Sequence, residues 1–232
     1  MAKKKSSGGL WRWLVRLLLV CVILPPLSVV VYRFVAPPIT LLMIERAIQG
    51  HGMDYRWRPL SQMAPVLPQA AVASEDARFC SHHGFDFQAI QKALQHDERD
   101  PGRLKGGSTI SQQTAKNVFL WPGRDYVRKG LEAGYTVLIE TLWGKRRIME
   151  VYLNVVEFGP GIYGAEAASQ HYFHEDAAQL TPGQAADLIA VLPKPLKWKA
   201  VAASGYMARR ERRIGGAIGT VRADDLAGCV GR

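Results

Sequence analysis

Two glutamates and one glycine-rich segment carry the side chains best suited to chemistry. Glu75 has Ala71, Val72 and Phe79 as its i−4, i−3 and i+4 neighbours, so a helix through this segment sets the carboxylate on its apolar stripe. A desolvated carboxylate suits a general acid or base, although a core glutamate tied to an arginine or a backbone amide gives the same pattern. Glu132 stands in Arg128-Lys-Gly-Leu-Glu132, with Arg128 and Lys129 as its i−4 and i−3 neighbours. Alone, that is a common solvated ion-pair pattern. Two carboxylates far apart in sequence, one with cations beside it, are also what glycosidic chemistry needs. The third feature is Gly106-Gly-Ser-Thr-Ile-Ser-Gln-Gln-Thr-Ala-Lys-Asn117. A glycine pair feeding a Ser/Thr-capped helix exposes backbone N–H groups that can hold a phosphate or sugar oxygen, and an ordinary capped surface helix reads the same way. Glycine spacing from Gly102 to Gly107 is Walker-like, but Ser108 replaces the lysine that nucleotide binding needs.

The elements that must position these residues read as helices. Pro65 and Pro68 lead into a helix expected over Gln69 to Cys80, with Gly84 near its end. Thr109 and Gln112 form a capping-box pattern that opens a helix from Ile110 to Leu120, stopped by Pro122 and Gly123. On it Thr109, Gln113 and Lys116 make a polar stripe, while Ile110, Thr114 and Val118 face the core. Val127, Leu131, Tyr135, Leu138 and Leu142 form an apolar stripe on the next helix, ended by Gly144. Thr181-Pro-Gly-Gln184 starts another, which ends before Pro193. Alternating β-branched runs are scarce, so the fold class is mainly α.

The chain has 232 residues, enough for one domain and an appendage, with 48% hydrophobic and 22% charged residues, a globular balance. Its net charge of +10 is gathered at two places: residues 1–16 contribute +5 and residues 194–213 contribute +6, leaving the remainder near neutral. The middle is therefore not a nucleic-acid surface. Lys3, Lys4 and Lys5 precede an apolar run, uncharged from Leu17 to Tyr32, that Arg16 and Arg33 flank and that Trp11, Trp13 and Tyr32 suit to the interfaces. We read it as a single transmembrane helix, kinked by Pro25 and Pro26, that holds the N-terminus in the cytoplasm and the body outside. With no small-x-small cleavage site after it, the segment is expected to stay as an anchor. The organisation is then a basic tail (1–16), an anchor (17–35), a polar stalk and membrane-proximal segment (36–60) and a catalytic domain (61–232). The basic 194–213 segment could lie against anionic headgroups or form a solvated helix. Cys80 and Cys229 could pair in an oxidising compartment, but two isolated thiols are the expected state. Cys80, His82 and His83 are too close together to converge on zinc.

Taken together, the motifs resemble the peptidoglycan glycosyltransferase family, the lysozyme-like enzymes that polymerise lipid II. EDxxFxxHxG is matched by Glu75-Asp-Ala-Arg-Phe79-Cys-Ser-His82-His-Gly84, and GGSTxxQQxxKN by Gly106 to Asn117. RKxxE is matched by Arg128 to Glu132, KxxIxExYLN by Lys145 to Asn154, and a fifth motif by Gly161-Ile-Tyr-Gly164 with Tyr172-Phe173. Gln184 and Ser111 depart conservatively from glutamate and threonine. No serine is followed by lysine three positions on, so the resemblance is to the monofunctional biosynthetic transglycosylase, without transpeptidase activity.

That resemblance implies a mechanism. Glu75 would deprotonate the 4-hydroxyl of an acceptor lipid II, which attacks the growing chain and releases undecaprenyl diphosphate with inversion. Lys116, Arg128 and Lys129 would stabilise the diphosphate, and Glu132 would position the reacting groups or hold a metal. Asp76, Phe79, His82, Thr109, Gln113 and Asn117 would line the site, and Glu150 and Asn154 would buttress it. No organic cofactor is implied; a divalent cation, Mg²⁺ or Mn²⁺, fits the diphosphate. Implied partners are lipid II and the nascent glycan strand, the bacterial inner membrane, and other cell-wall synthases or division proteins, with no nucleic acid. The catalytic domain would be periplasmic. A hydrolytic muramidase would not need the Arg-Lys diphosphate site, and a non-catalytic envelope scaffold would not need Glu75.

Overall fold

The computed structural model describes residues 8–99, 106–123, 125–201 and 204–231. The basic residues 3–5 and the glycine spacing that starts at Gly102 lie outside the described residues. The fold is mainly helical, as expected. In chain order it comprises α1 (Gly8–Phe34), α2 (Leu41–Ile48), β1 (Asp54–Tyr55), α3 (Val66–Glu75), α4 (Phe87–Arg99), α5 (Ile110–Phe119), α6 (Tyr126–Leu142) and α7 (Gly144–Val155). There follow β2 (Glu157–Gly159), β3 (Ile162–Tyr163), α8 (Ala165–Phe173), α9 (Pro182–Val191), α10 (Gly205–Ala223) and α11 (Gly228–Gly231).

The core lies where α3, α5, α7, α9 and α10 meet. From Ile148 to Val155 only Glu150 is not buried, so α7 is enclosed on almost every side, as a helix with no continuous polar face must be. Alanines let α3 and α9 approach: Ala70, Ala71, Ala185 and Ala190 are fully enclosed, with Leu188 and Ile189 filling the space around them. Both expected capping boxes are present, Thr109 with Gln112 on α5 and Thr181 with Gln184 on α9, each satisfying otherwise orphaned N–H groups.

A three-stranded sheet in the order β1-β3-β2 adds to the helices. β1 pairs parallel with β3, and β2 pairs antiparallel with it. Strands of two or three residues are too short to leave an alternating signature, which is why the sequence does not announce them. The glycines of the fifth motif serve this corner. At Gly161 (φ +71°) a Cβ would lie 2.2 Å from the His51 carbonyl oxygen, and at Gly164 (φ +83°) 2.5 Å from that of Asn154.

Residues 36–60 are not a stalk. Thr40 caps α2, Met43 is fully buried, and β1 is part of the sheet. Asn154 holds Arg58 through both its N–H and its carbonyl, and Glu150 Oε1 accepts from the Leu60 N–H at 2.9 Å. The domain boundary therefore falls earlier than residue 61, because this segment finds its hydrogen-bond partners in α7.

α1 continues through Pro25 and Pro26 over 27 residues. Its C-terminal end docks on the domain: Val29 is fully buried, Trp143 Nε1 donates to the Val29 carbonyl at 2.7 Å, and Arg147 donates to the Tyr32 and Val35 carbonyls. Leu19, Val22, Ile23, Leu24, Leu27 and Val31 are exposed. Among the described residues no helix is long and apolar enough to cross a membrane. The side chains of Leu17, Leu18, Val20 and Cys21, within the expected anchor, lie outside those residues.

Three further expectations are corrected. α3 ends at Glu75 rather than Cys80, because Asp76 turns to φ −159°, ψ 76° and its carboxylate is drawn to other partners. On α6 the buried positions are Arg128, Glu132, Thr136 and Ile139; of the expected apolar stripe Tyr135, Leu138 and Leu142 pack against the core, while Val127 and Leu131 at its N-terminal end are exposed. Cys80 and Cys229 are not isolated thiols: they form a disulfide that joins the loop after α3 to α11 across 149 residues of sequence.

Candidate active site

Asp76 ties the end of α3 to the start of α5. Its Oδ2 accepts the Ile110 N–H at 3.0 Å, satisfying a donor at the α5 N-terminus, and both of its oxygens lie within 3.0 Å of His82 Nε2. His82 Nδ1 accepts the Gly84 N–H at 3.1 Å, so the proton of the neutral ring is on Nε2 and points at Asp76. Thr109 Oγ1 donates to the Gly84 carbonyl at 2.7 Å, closing the frame. Asp76, His82 and Thr109 are all buried, and Phe79 is fully enclosed with Lys145 Nζ 4.5 Å from its ring centroid. The motif match places these four in the lining of the site; in the structure they are buried, and Asp76, His82 and Thr109 instead tie α3 to α5.

The consequence is the setting of Glu75. Its Oε2 accepts from Gln113 Nε2 at 3.2 Å, and its Oε1 accepts from Ser74 Oγ at 2.9 Å and Arg210 Nη2 at 3.0 Å. Glu75 does not share a helical stripe with Phe79, since the helix has already ended. Its side chain is only 14% exposed, and besides Ser74 of its own helix its partners come from α5 and α10. Below it, Tyr152 is fully enclosed with a hydroxyl lacking a partner among the described residues. Burial first, and then the carboxylates of Glu75 and Asp76, hold that phenol well above its ordinary value of 10.

Arg210 was missed in the sequence reading, which grouped it with a basic surface run. A signal existed. Met207, Ile214, Ile218 and Val221 form the buried stripe of α10, and Arg210 is three residues after the first and four before the second. An arginine on that face must have an acceptor inside.

The second cluster lies within α6. Arg128 Nη1 donates to Glu132 Oε2 at 3.0 Å and Lys129 Nζ pairs with Glu132 Oε1. Glu132 and Arg128 are buried, not solvated, whereas the Lys129 side chain is 48% exposed. Arg128 Nε is buried without a hydrogen-bond partner among the described residues. Both Glu132 oxygens are committed to cations, and among the described residues no three His, Cys, Asp or Glu side chains converge. These residues do not make a resident divalent-cation site.

Gln113, Lys116 and Asn117 share one wall of a cleft of about 330 Å³, with Arg46, Glu157 and Trp121 around it. Glu157 is pushed up by burial, which the neighbouring Arg46 partly offsets. The cleft therefore combines two cations, a carboxylate, amides and an apolar rim, and Gln113 links it to Glu75. Arg128 and Glu132 do not line it. Glu150 and Asn154 do not touch Glu75; they hold the 58–60 backbone.

With a framed carboxylate beside a polar cleft and a buried arginine-glutamate pair and an exposed lysine on the neighbouring helix, the mainly helical fold fits a glycosyl-transfer enzyme. The transglycosylase family profile matches residues 43–218, and the chain belongs to that family. The biosynthetic peptidoglycan transglycosylase of Caulobacter vibrioides is 59% identical over 217 residues, 94% of each chain. Proteins of the same name from Rhodospirillum centenum and Klebsiella oxytoca are 51% and 47% identical, covering 86% and 93% of this chain and 86% and 94% of theirs.

Proposed function

We propose that the protein is a peptidoglycan glycosyltransferase that polymerises lipid II into β-1,4-linked glycan. The observation that carries the reading is the place of α5. Its Gln113 touches Glu75, its Lys116 and Asn117 line the cleft, and it packs along α6, which bears Arg128 and Glu132. A base and a set of cations thus flank one helix.

In the reaction, Glu75 Oε2 takes the proton of the acceptor 4-hydroxyl. The freed oxygen pair attacks the anomeric carbon of the growing chain, and the C–O bond to the diphosphate breaks with its electrons on the leaving group. One displacement inverts an α-linked diphosphate to a β-linked sugar with no glycosyl-enzyme intermediate. Arg128, whose Nε has no hydrogen-bond partner among the described residues, and Lys129 and Lys116 meet the charge that develops on the diphosphate. Glu132 keeps the two α6 cations in place. A divalent cation would arrive on the diphosphate itself, and no step runs through it here.

The substrate's polyprenyl tail requires the cleft to work at a bilayer surface. We assign α1 as a single-pass anchor in the bacterial inner membrane with the domain on the periplasmic side. Its exposed apolar side chains support this, as do the basic residues before it and the disulfide, a bond at home in an oxidising compartment. Synthases and division proteins of the same compartment are the proposed partners.

The test is polymer formation from labelled lipid II by detergent-solubilised protein, beside Glu75→Gln. Lysozyme-sensitive polymer from the wild type alone is expected. Release of glycan from intact sacculi without polymer would make the protein a muramidase instead.

A further inference from the structure

Glu75 is the last residue of α3, and the Ala190 carbonyl belongs to the last turn of α9. Two helix C-termini, each with unsatisfied carbonyls and a partial negative charge, therefore converge on one place, where a carboxylate is disfavoured. Arg210 answers both. Its Nε donates to the Ala190 carbonyl at 3.1 Å, and its Nη2 donates to Ser74 Oγ at 2.8 Å and to Glu75 Oε1 at 3.0 Å. The side chain is 9% exposed. A planar guanidinium reaches these acceptors at fixed angles, whereas a lysine ammonium offers a single point charge.

The two Glu75 oxygens are consequently unequal. Oε1 accepts from two donors, which fills its lone pairs, while among the described residues Oε2 accepts only from Gln113. We infer that Arg210 is a positioning residue for the base: it occupies Oε1 and turns Oε2, with one lone pair open, toward the acceptor hydroxyl. Its charge also keeps the carboxylate in place when an anionic diphosphate enters the neighbouring cleft. This inference rests on the glycosyltransferase reading and adds a residue that lies outside the five motifs.

Full-length Arg210→Ala and Arg210→Lys are assayed in detergent with labelled lipid II, with kcat and KM determined separately and folding followed by circular dichroism. Arg210→Ala is expected to lose about 100-fold in kcat with KM little changed, the signature of a misplaced base rather than a lost binding contact. Added guanidinium should restore part of that kcat and should do nothing for Glu75→Gln. Arg210→Lys keeps the charge and should fold even if the alanine variant does not, yet it should lose about tenfold in kcat for want of the fork. Wild-type kcat in Arg210→Lys, a rise in KM alone, or a folded Arg210→Ala that guanidinium fails to rescue would overturn the assignment. Absence of polymer from the wild type would instead overturn the polymerase reading. Polymer from the wild type with undiminished polymer from Arg210→Ala removes only the role of Arg210.

Discussion

Glu75 and Glu132 are both enclosed carboxylates with cations beside them, yet they are built in opposite ways. Glu132 draws both of its cations from its own helix, one and one-fifth turns or less away, and has no oxygen left over. Besides Ser74 of its own helix, Glu75 draws its partners from α5 and α10, and the loop that follows it is pinned to α11 by the disulfide. The difference teaches which carboxylate can accept a proton. A carboxylate saturated by cations is a structural anion that holds those cations for a ligand. One held by a neutral amide on its working oxygen, and by a guanidinium only on the other, is oriented but still open.

The largest expected effect is on the base. Glu75→Gln should lower kcat by about 10²–10⁴-fold, the range general-base groups contribute, with the fold retained by circular dichroism. The amide oxygen still accepts from Ser74 and Arg210, Arg210 keeps the Ala190 carbonyl, and Gln113 can turn its own oxygen toward the new N–H. Equal polymer yield from this variant would end the distinction between the two carboxylates. Glu132→Gln should instead appear first in stability. It leaves the buried Arg128 without its counter-charge, which costs about 3–5 kcal/mol in urea unfolding. Replacing the pair together, Arg128→Met with Glu132→Leu, should recover most of that stability while polymerisation stays lost. Recovery of activity in the double variant would show that the cluster is only structural.

How much of this was legible follows the same division. The α6 cluster is a pattern at i, i+1 and i+4, so its pairing could be read directly; only its burial could not, because Val127 and Leu131 offered a more apolar stripe that the fold leaves exposed. The caps of α5 and α9 were legible because capping is local chemistry at a three-residue spacing. The setting of Glu75 was not. A continuous helix from Gln69 to Cys80 satisfies every local preference, and it is the pull of His82 and the Ile110 N–H on Asp76 that ends α3 early. Likewise nothing near Cys80 points to a partner 149 residues away, and the short β1 is held by its pairing with β3, far along the chain. Contacts between distant segments leave only indirect traces, such as an arginine in register with the apolar positions of α10.

The disulfide sharpens the comparison from the side of the base. Cys80→Ser should destabilise the protein by about 2–4 kcal/mol, measured by denaturant titration, and a reductant should have no further effect on the variant. Since α6 contains no cysteine, the same reductant on the wild type should weaken the Glu75 side first, seen as faster amide exchange in the 76–84 loop than in residues 128–139. Uniform exchange across both regions would mean that they unfold as one unit and that the covalent brace is not what separates them.

The smallest effect comes from a third carboxylate, whose burial no cation among the described residues offsets. Asp187 on α9 is pushed up to about 6 by desolvation alone, and Glu211 on α10 is also raised, by burial and then by Asp187 itself. The sign is the reverse of a salt-bridged acid. Between an unfolded value near 3.9 and about 6, the folded state binds more protons than the unfolded one, so stability falls as pH rises through that window and the full cost is present above it. Because the group is only half-buried, solvent screening reduces the cost to about 1 kcal/mol. Asp187→Asn should therefore raise stability by about that amount at pH 7.5 and leave it unchanged at pH 4. Urea midpoints at the two pH values check this, and a gain of the same size at both would assign the effect to packing rather than to charge. Asp187, shifted by desolvation alone, shows what burial costs a carboxylate that no cation offsets, and so what Arg210 prevents at Glu75 and Arg128 at Glu132.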